Sequence, residues 1–267
     1  MQNKISIITV VKNGMPFLKN ALNSFELQNY QNKELIVVYS SSNDGTLELL
    51  KEKRKNGVIS KLIIDNDSNN KFGSLNVALE NINSDYFGIL HADDIFFSQH
   101  SISEIMKNFN ESNADIIYGN VIFCNKKNIL NFKRYWKSSK FKKNSLLWGW
   151  MPPHTSMFFK KKYKDIKFNT NLNISSDYDF IIRVFEKNPK CIHINKIITL
   201  MRLGGDSTNL SGLYKKFFED LSIIRNRFKT FVLLRLLLKI FRKFYQFFFF
   251  KNKAIVNYDY IEKINKN

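Results

Sequence analysis

The feature of this sequence that most constrains its fold is a regular alternation of strand-like and helix-like segments over the first hundred residues. Residues 5–11 are β-branched and almost continuously apolar, which is typical of a strand covered on both faces. Short apolar runs of the same kind recur at 34–39, 61–65 and 85–90, with segments of helical period between them. Strands that alternate with helices over short connections predict a mostly parallel central sheet flanked by helices.

The predicted helices begin close to the ends of these strands. Pro16 is expected in the first turn of the first helix, because its fixed φ suits that position. A second helix is predicted from Asp44 to about residue 55, and a third over residues 74–81. Each helix would carry the chain back so that the next strand runs in the same direction.

Polar side chains gather where the four predicted strands end. These clusters lie at residues 12–13, 40–44, 65–67 and 91–94. In open parallel sheets, ligands bind beyond the carboxyl ends of the strands. The sequence therefore predicts a ligand site at one edge of the sheet, built from loops that are distant along the chain.

The second half of the chain predicts a less regular structure. It contains no internal repeat. The elements expected there are strands at 114–119 and 121–123, an irregular basic segment at 126–144, an aromatic loop at 148–153, a helix over 177–186 and a strand near 191–194.

Charge and cysteine content narrow the class of protein. The 42 Lys and Arg residues against 23 Asp and Glu residues give a net charge of +19. This charge indicates an anionic partner such as nucleic acid, a phospholipid surface or a phosphorylated substrate, or alternatively a solvated surface that is rich in Lys. Cys124 and Cys191 form no CxxC pair, so a reduced, cytoplasmic setting is expected, without a zinc site or disulfide framework. The N-terminal apolar run is too short to span a membrane and lacks a signal-type cleavage site.

Asp93 and Asp94 are the first candidates for chemistry. Two adjacent carboxylates at a strand end repel one another unless a cation or a hydrogen-bond donor lies near. A divalent ion that is bound by these carboxylates and by diphosphate oxygens would remove that repulsion. The alternative is an Asp pair that caps the next helix or turn.

Three other candidates have a strong structural alternative. Asp44 and Asp177 each stand at a predicted helix start, where acids and serines are ordinary capping residues. The functional alternatives are contact with a nucleotide for Asp44 and a general base for Asp177. The pair Gly204-Gly205 indicates either a backbone nest for phosphate or a plain turn.

Six motifs, in this order, resemble the family 2 inverting glycosyltransferases of bacterial surface polysaccharide type, which have the GT-A nucleotide-diphospho-sugar transferase fold. The resemblance covers roughly residues 3 to 210. The motifs are SIITVVKNG from Ser6, SNDGT from Ser42, HADD from His91, PHT from Pro153, SDYD from Ser176 with Arg183, and GGDS from Gly204.

The resemblance implies transfer of a sugar from a nucleotide-sugar to an acceptor hydroxyl, by one in-line displacement with inversion. It implies that Asp177 is the base and that Asp93, with Asp94, binds the Mn²⁺ or Mg²⁺ that bridges the donor diphosphate. The residues implied in nucleotide-sugar binding are Thr9, Val11, Asn13, Tyr39, Asp44, Asn76, His91, Ala92 and Asp93. Those implied in the acceptor or donor pocket are His154, Asp179, Arg183, Gly204 and Gly205.

Two positions depart from the family pattern. The family usually has an Asp directly after the second strand, where it contacts the nucleoside base, and this chain has Tyr39 there. The usual donor is a UDP-sugar, and this departure leaves the base preference open. The first Asp of the family's DxD motif is His91 in this chain.

Residues 213–267 are expected to form a basic, helical, membrane-associating tail. Between residues 213 and 253 there are eleven Lys and Arg residues against two acids. In a helix over 228–250, Arg235, Lys239, Arg242, Lys243 and Gln246 share one face, and the rest is covered by Leu233, Leu234, Leu237, Leu238, Ile240, Phe241, Phe244 and Phe248. A basic stripe on an apolar helix predicts binding to an anionic membrane surface. The alternative is a helix whose apolar face packs on the catalytic domain.

The expected organisation is a glycosyltransferase domain over 1–212, with a nucleotide-binding half at 1–100 and an acceptor half at 101–212, followed by the tail. We expect a cytoplasmic enzyme on the inner face of the membrane, with a glycan or lipid-linked acceptor and no nucleic-acid partner. The alternatives are a non-enzymatic binder of nucleic acid or anionic surfaces, a nucleotidyltransferase on a similar fold, and an inactive transferase. A nucleotidyltransferase would need a richer glycine loop than Lys12-Asn13-Gly14 provides.

Overall fold

The computed structural model describes residues 3–204, 210–248 and 258–266. Its strands are β1 Ile5–Val11, β2 Lys33–Tyr39, β3 Lys61–Ile64, β4 Tyr86–Ile89, β5 Ile95–Phe96, β6 Ile116–Cys124, β7 Phe132–Trp136, β8 Met157–Lys160 and β9 Cys191–Arg202. Its helices are α1 Leu18–Glu26, α2 Thr46–Lys55, α3 Lys71–Glu80, α4 Ser101–Ser112, α5 Ser176–Glu186, α6 Leu210–Phe228, α7 Val232–Phe248 and α8 Tyr258–Lys266.

All nine of these strands belong to one sheet, in the order β3-β2-β1-β4-β8-β6-β9-β5, with β7 paired to β6. Strands β3, β2, β1 and β4 are parallel, as the alternating pattern predicts. Beyond β4 the sheet is mixed, since β8 runs antiparallel to both β4 and β6, whereas β6 and β9 are parallel. The carboxyl ends of β1, β2 and β4 therefore meet at one edge.

The core lies on both faces of the sheet, which explains why β1 is apolar at nearly every position. Ile7 packs on one face with α1 and α4, whose buried residues include Leu22 and Ile105. Ile8 packs on the other face with α3 and α5, whose buried residues include Leu75 and Ile181. Burial of each such side chain stabilises the fold by about 1.5–3 kcal/mol.

The second half of the sheet differs from the prediction in three ways. The two strands expected at 114–119 and 121–123 form the single strand β6, and β7 lies within the segment expected to be irregular. Strand β9 is also longer than expected, because it extends to Arg202. Gly119 interrupts the apolar pattern, but β6 continues through it. A Cβ at this position would lie only 2.5 Å from the Ile198 side chain of β9, so the close packing of the two strands favours glycine.

Two helix starts also differ from the prediction. Helix α1 begins at Leu18 with Phe17 as its N-cap, so Pro16 lies outside the helix and its expected position in the first turn was wrong. Helix α3 begins at Lys71, three residues before the predicted start, because the Asn70 side chain accepts hydrogen bonds from the backbone N–H groups of Phe72 and Gly73.

Helix α7 is amphipathic, but its faces lie opposite to the prediction. Arg235 and Lys239, which were expected to face an anionic membrane, are buried at 7% and 3% exposure. The exposed side chains are mostly apolar and include Leu233, Leu234, Leu237, Ile240 and Phe241. The basic stripe therefore packs on the protein in the first turns of α7. The predicted faces of Phe244, Gln246 and Phe248 concern side chains outside the described part of the structure.

The last helix, α8, packs on the body of the protein. Tyr260, Ile261 and Ile264 are buried in one cluster with Ile95 and Leu200. The Ile264 carbonyl accepts a hydrogen bond of 3.0 Å from Asn23 of α1. Over residues 3–204, 210–248 and 258–266, no helix combines the length and apolarity needed to cross a membrane.

Candidate active site

The ends of β1 and β4 are joined by a buried threonine. Thr9 is 1% exposed, and its hydroxyl donates a 2.8 Å hydrogen bond to the Leu90 carbonyl. This bond fixes the end of β4 directly before His91. Val11 is buried at the end of β1, and Ala92 packs against the same apolar cluster, so both help to position the site through packing.

Asp44 ties two loops at this edge together. Its carboxylate accepts hydrogen bonds from the Met15 backbone N–H at 2.8 Å and from the Thr46 hydroxyl at 2.6 Å. Burial alone would raise the pKa of Asp44, but these hydrogen bonds hold it below its ordinary value. Asn13 joins the same network, since its backbone N–H donates to the Ser42 hydroxyl at 2.8 Å.

Tyr39 has a clear structural role where the family usually places an Asp. The side chain is buried at the end of β2, and its hydroxyl accepts a 2.9 Å hydrogen bond from the Ser42 backbone N–H. The phenol therefore holds the loop over residues 40–44 at the end of β2. Its contact with a nucleotide base stays a prediction.

Asp93 and Asp94 stand side by side in a buried turn after β4. Burial raises the pKa of Asp93. Burial, followed by the charge of Asp93, raises the pKa of Asp94 well above its ordinary value. The charge of Asp93 thus opposes ionisation of Asp94, an effect that a bound cation would offset.

A divalent metal ion fits these two residues. The Oδ2 atom of Asp94 is buried and has no hydrogen-bond partner among the described residues. Carboxylate oxygens are the ligands that Mg²⁺ and Mn²⁺ prefer. Within the described ranges, no group of three or more His, Cys, Asp or Glu residues is placed to hold a metal.

Two basic residues near this pair were missed by the sequence analysis. The Arg202 guanidinium, at the end of β9, donates to the Asp93 carbonyl at 2.8 Å and to the Lys126 carbonyl at 3.1 Å. The positive charges of Arg202 and Lys126 both act to lower the pKa of Asp93. The signal in the sequence is that Arg202 lies two residues before the Gly204-Gly205 pair.

A chain of three side chains links this region to Asp177. The Nε2 atoms of His91 and His154 are 2.8 Å apart, and His154 Nδ1 lies 3.2 Å from an Asp177 carboxylate oxygen. Burial, followed by the positive charges of His154 and Lys71, lowers the pKa of His91 to about 3, and burial also lowers the pKa of His154. The His91 ring is therefore neutral near pH 7. Since the ionised Asp177 carboxylate only accepts, the Nδ1 atom of His154 carries a proton.

Asp177 lies in the first turn of α5 and is strongly ionised. Burial opposes the charged form, but His154, then Lys216 and Lys239, lower the pKa of Asp177 to about 2. Both lysines lie in the predicted tail, and no sequence motif connects them with this site. Lys216 belongs to α6 and Lys239 to α7, so the C-terminal helices contribute directly to its electrostatics.

Lys239 is the most deeply buried of these cations. Its Nζ atom lies 2.7 Å from the Asp220 carboxylate and 3.2 Å from the centre of the Tyr178 ring. Burial lowers the pKa of Lys239 to about 7. The pKa of Asp220 is lowered by Lys239 and then Lys216, although burial opposes this. This pair joins α6 to α7 next to Asp177.

Three predicted site residues have structural partners instead. Asp179 pairs with Arg183 at 2.8 Å and with Arg227 of α6 at 3.4 Å, so it holds α5 to α6. Arg183 also donates to the Lys167 carbonyl at 2.6 Å. The Asn76 amide exchanges two hydrogen bonds with the Phe168 backbone, at 3.0 and 2.7 Å. Their roles in substrate binding stay predictions.

An open cleft of about 390 Å³ lies between α3, the segment before α5, and the start of α6. It is lined by Asn70, Lys71, Asn173, Ile174, Ser211, Gly212 and Lys215. The positive charge of Lys71 also helps to lower the pKa values of His91 and His154, so this side chain of the cleft interacts electrostatically with the two histidines. Gly204 follows β9 with a φ of +110°, a conformation that favours glycine, whereas Gly205 lies outside the described residues.

Comparison with known proteins adds two findings. The model of glycosyl transferase family 2 matches residues 6–184. An uncharacterized glycosyltransferase of Rickettsia conorii is 30% identical over 209 residues, which are 73% of this chain and 33% of that protein. The matched part of the chain spans only 27% to 33% of the length of three curated relatives, including the Rickettsia conorii protein.

Two solved structures share the architecture. The Staphylococcus aureus TarS fragment 1–349 in complex with UDP-GlcNAc matches with a TM-score of 0.65 at 16% identity, over 91% of this chain and 73% of that one. The mannosyltransferase PcManGT of Pyrobaculum calidifontis, in complex with GDP-Man and Mn²⁺, matches with a TM-score of 0.64 at 14% identity, over 89% and 70% of the two chains. At these identities the likeness concerns the fold alone.

Proposed function

The chain belongs to glycosyl transferase family 2 and has its GT-A fold, and from that membership we propose that it transfers a sugar from a UDP-sugar to an acceptor hydroxyl with inversion. The observation that carries the proposal is the series of contacts from His91 through His154 to Asp177. The His91 carbonyl also accepts a 3.1 Å hydrogen bond from the Asp94 backbone N–H, so these contacts begin in the turn that carries the two carboxylates. This arrangement supports a metal at the carboxylate pair and a general base at Asp177. UDP-sugars are the first donors to test because the TarS structure contains UDP-GlcNAc.

Asp177 serves as the general base in this proposal. Its low pKa keeps the carboxylate deprotonated, and hydrogen bonding to His154 sets its orientation. As the acceptor oxygen forms its bond to the anomeric carbon, its proton passes to Asp177, and the bond from that carbon to the diphosphate oxygen breaks. Attack opposite the leaving diphosphate inverts the configuration at the anomeric carbon.

Asp93 and Asp94 would hold Mn²⁺ or Mg²⁺ together with the donor diphosphate. Such an ion supplies electrostatic stabilisation for the negative charge that collects on the departing nucleoside diphosphate. Arg202 and Lys126 contribute positive charge from the protein at the same place. The loops over residues 9–13 and 40–44, fixed by Thr9 and Asp44, would bind the nucleotide.

The acceptor belongs to surface or lipid-linked glycan assembly at the inner face of the cell membrane in this proposal. The support is the set of exposed apolar side chains on α6, on α7 and on their connection, namely Leu213, Tyr214, Phe217, Phe218, Phe231, Leu233, Leu234, Leu237, Ile240 and Phe241. Cations on the same two helices or their connection, namely Lys215, Lys229 and Arg242, are exposed and complement anionic lipid headgroups. A bilayer interface suits this combination of apolar area and positive charge.

The test is sugar transfer and nucleotide-sugar hydrolysis across a panel of donors, with Mn²⁺ and with EDTA, using the wild type and Asp93→Ala. We expect metal-dependent turnover of one donor that is lost in the variant. Asp85→Ala, at the amino end of β4, is the matched control and should keep activity. Failure to bind any nucleoside diphosphate with Mn²⁺ present, beside tight salt-sensitive binding to nucleic acid, would reject the transferase and support the binding protein.

A further inference from the structure

Residues 173–175 form a short segment before α5, the helix that carries Asp177. This segment is held by a single carboxylate of α6. The backbone N–H groups of Asn173, Ile174 and Ser175 all donate to Glu219, at 2.9, 2.9 and 2.7 Å. Successive N–H groups that converge in this way form a concave anion-binding site. Here the anion is supplied by the chain itself, and a charged acceptor makes each of these hydrogen bonds stronger than a neutral one.

The held segment determines where Asp177 lies. Ser175 and Ser176 are fully buried, and Asp177 follows them directly in the first turn of α5. A shift of the segment would therefore move Asp177 away from His154 Nδ1, which lies 3.2 Å from its carboxylate. Three hydrogen bonds to one carboxylate oppose such a shift.

The same turn of α6 supplies a second contact. Lys216, three residues before Glu219, lies 3.3 Å from the Ser175 hydroxyl as a donor. The positive charge of Lys216 is also among those that lower the pKa of Asp177. Residues three apart share a helical face, so one face of α6 holds the segment through an acidic residue, Glu219, and a basic residue, Lys216.

Helix α6 is itself fixed to its neighbours. Asp220 pairs with Lys239 of α7 at 2.7 Å, and Arg227 pairs with both Asp179 and Glu186 of α5 at 3.4 Å. Glu219 therefore extends from a helix that is anchored on both sides. A carboxylate on a rigid element can fix a catalytic group in a way that a surface side chain cannot.

We propose that Glu219 is a positioning residue for the base: by binding the N–H groups of residues 173–175, it holds Asp177 against His154 and the acceptor. The proposal rests on the proposed role of Asp177. It makes α6 part of the catalytic machinery, although α6 lies outside residues 6–184 that the family model matches. A neutral side chain at 219 should weaken catalysis more than substrate binding.

The test compares Glu219→Gln, Glu219→Asp and, as the matched control, Glu186→Gln. Glu186 is also a glutamate that pairs with α6, through Arg227, whereas the N–H groups of residues 173–175 donate to Glu219. We expect kcat of Glu219→Gln to fall about tenfold to a hundredfold, as displacement by about 1 Å can do, with the donor KM within about twofold. Glu219→Asp keeps the carboxylate and should recover part of kcat, whereas Glu186→Gln should match the wild type.

A second measurement does not depend on turnover. The proton on His154 Nδ1 reports the position of Asp177, so its NMR resonance should shift in Glu219→Gln and stay unchanged in Glu186→Gln. Hydrogen exchange at the amides of residues 173–175 should also become faster. An unchanged kcat and an unchanged His154 resonance, with faster amide exchange, would overturn the proposal because the segment would have moved without effect on the base.

Failure of the proposed function would look different. A wild type that transfers no sugar from any donor rejects the transferase activity, while the His154 resonance still decides whether Glu219 controls the position of Asp177. If Glu219→Gln fails to fold, Glu219→Asp tests the proposal alone, because its shorter carboxylate should lower kcat and shift the same resonance. A Glu219→Asp variant that folds with wild-type kcat and an unshifted resonance would then contradict it.

Discussion

The carboxyl edge of β1, β2 and β4 and the α6–α7 pair both carry strong patterns in the sequence, yet only the first is placed as the pattern predicts. At the sheet edge, main-chain pairing of β1 with β2 and with β4 sets the register of all three strands, so the loops after them must meet. In α7 the amphipathic pattern defines two faces and does not specify which one is buried. The comparison teaches that sequence periodicity shows which residues share a helix face. Which face is buried depends on whether its charged side chains find partners in the rest of the protein.

The physical reason for the reversal is the pairing of Lys239. An ammonium group is costly to bury alone, but Asp220 lies 2.7 Å from Lys239 and the Tyr178 ring lies directly below it. Arg235 is satisfied in a similar way, since it donates to the Leu147 and Thr230 carbonyls at 2.8 Å. The polar face can therefore be buried, and the leucines that would otherwise fill a core are left at the surface.

The largest expected effect separates Asp177 from Asp179, two carboxylates in the same turn of α5. Asp177→Asn should lower kcat by about 10²–10⁴-fold, because the acceptor loses its general base, and should leave the fold intact. Asp179→Asn should instead lower stability, because it breaks the pairing with Arg183 and Arg227. The measurements are steady-state kinetics and urea unfolding of each variant. Equal loss of kcat in both would mean that Asp179 also serves the reaction.

Removal of the buried carboxylate at 220 tests the orientation of α7. Asp220→Asn leaves Lys239 buried without its ion-pair partner, so the free energy of unfolding should fall by about 3–5 kcal/mol. Glu111→Gln is the control, because its pair with Lys107 is exposed and about 0.5 kcal/mol is expected there. Chemical denaturation measures both. A loss as small as the control for Asp220→Asn would show that the basic face is not buried in solution.

Two adjacent leucines of α7 give a sharper test of its two faces. Leu236 is 2% exposed and Leu237 is 62% exposed. Leu236→Ala should lower stability by about 2–5 kcal/mol, whereas Leu237→Ala should change it by no more than about 0.5 kcal/mol.

Membrane binding should show the opposite order at these positions. Co-sedimentation with vesicles of phosphatidylcholine and phosphatidylglycerol should weaken in Leu237→Ala, and pure phosphatidylcholine vesicles are the control for charge. Vesicle binding that is unaffected by Leu237→Ala and by Phe241→Ala would remove the support for a membrane-facing α7.

The smallest expected effect concerns Asp44 at the sheet edge. Its folded pKa is below the ordinary value, so Asp44 stabilises the protein above the unfolded pKa of about 3.9, and this contribution is lost as the pH falls through the folded pKa. Asp44→Asn should therefore cost about 1 kcal/mol at pH 7 and less near pH 3. Thermal unfolding of the variant and wild type at both pH values measures it. A difference that is independent of pH would mean that the ionised form is not the one that joins the two loops.

The sequence was sufficient to find the strands, the polar edge and the carboxylates, and it was insufficient for most of the groups around them. Asp93, Asp94 and Asp177 each lie in short motifs at the ends of predicted elements, so their positions could be predicted. Lys216, Glu219 and Lys239 lie in a tail with no motif, and they act on Asp177 or on the segment before it only because α6 and α7 fold back over α5. Long-range contacts of this kind leave no local pattern in a single sequence.

By itself, the sequence determined the alternation of strands and helices, because buried strands need apolar residues at nearly every position and helices need them at a period of 3.6. It also placed acids and polar loops at the carboxyl edge of the parallel strands. Only the tertiary structure decided that His154 lies between His91 and Asp177, that Glu219 holds the segment before the base, and that α7 has its apolar side outward. Each of these depends on which charged group finds its partner across the fold, and a charged group is buried where that partner compensates its loss of water.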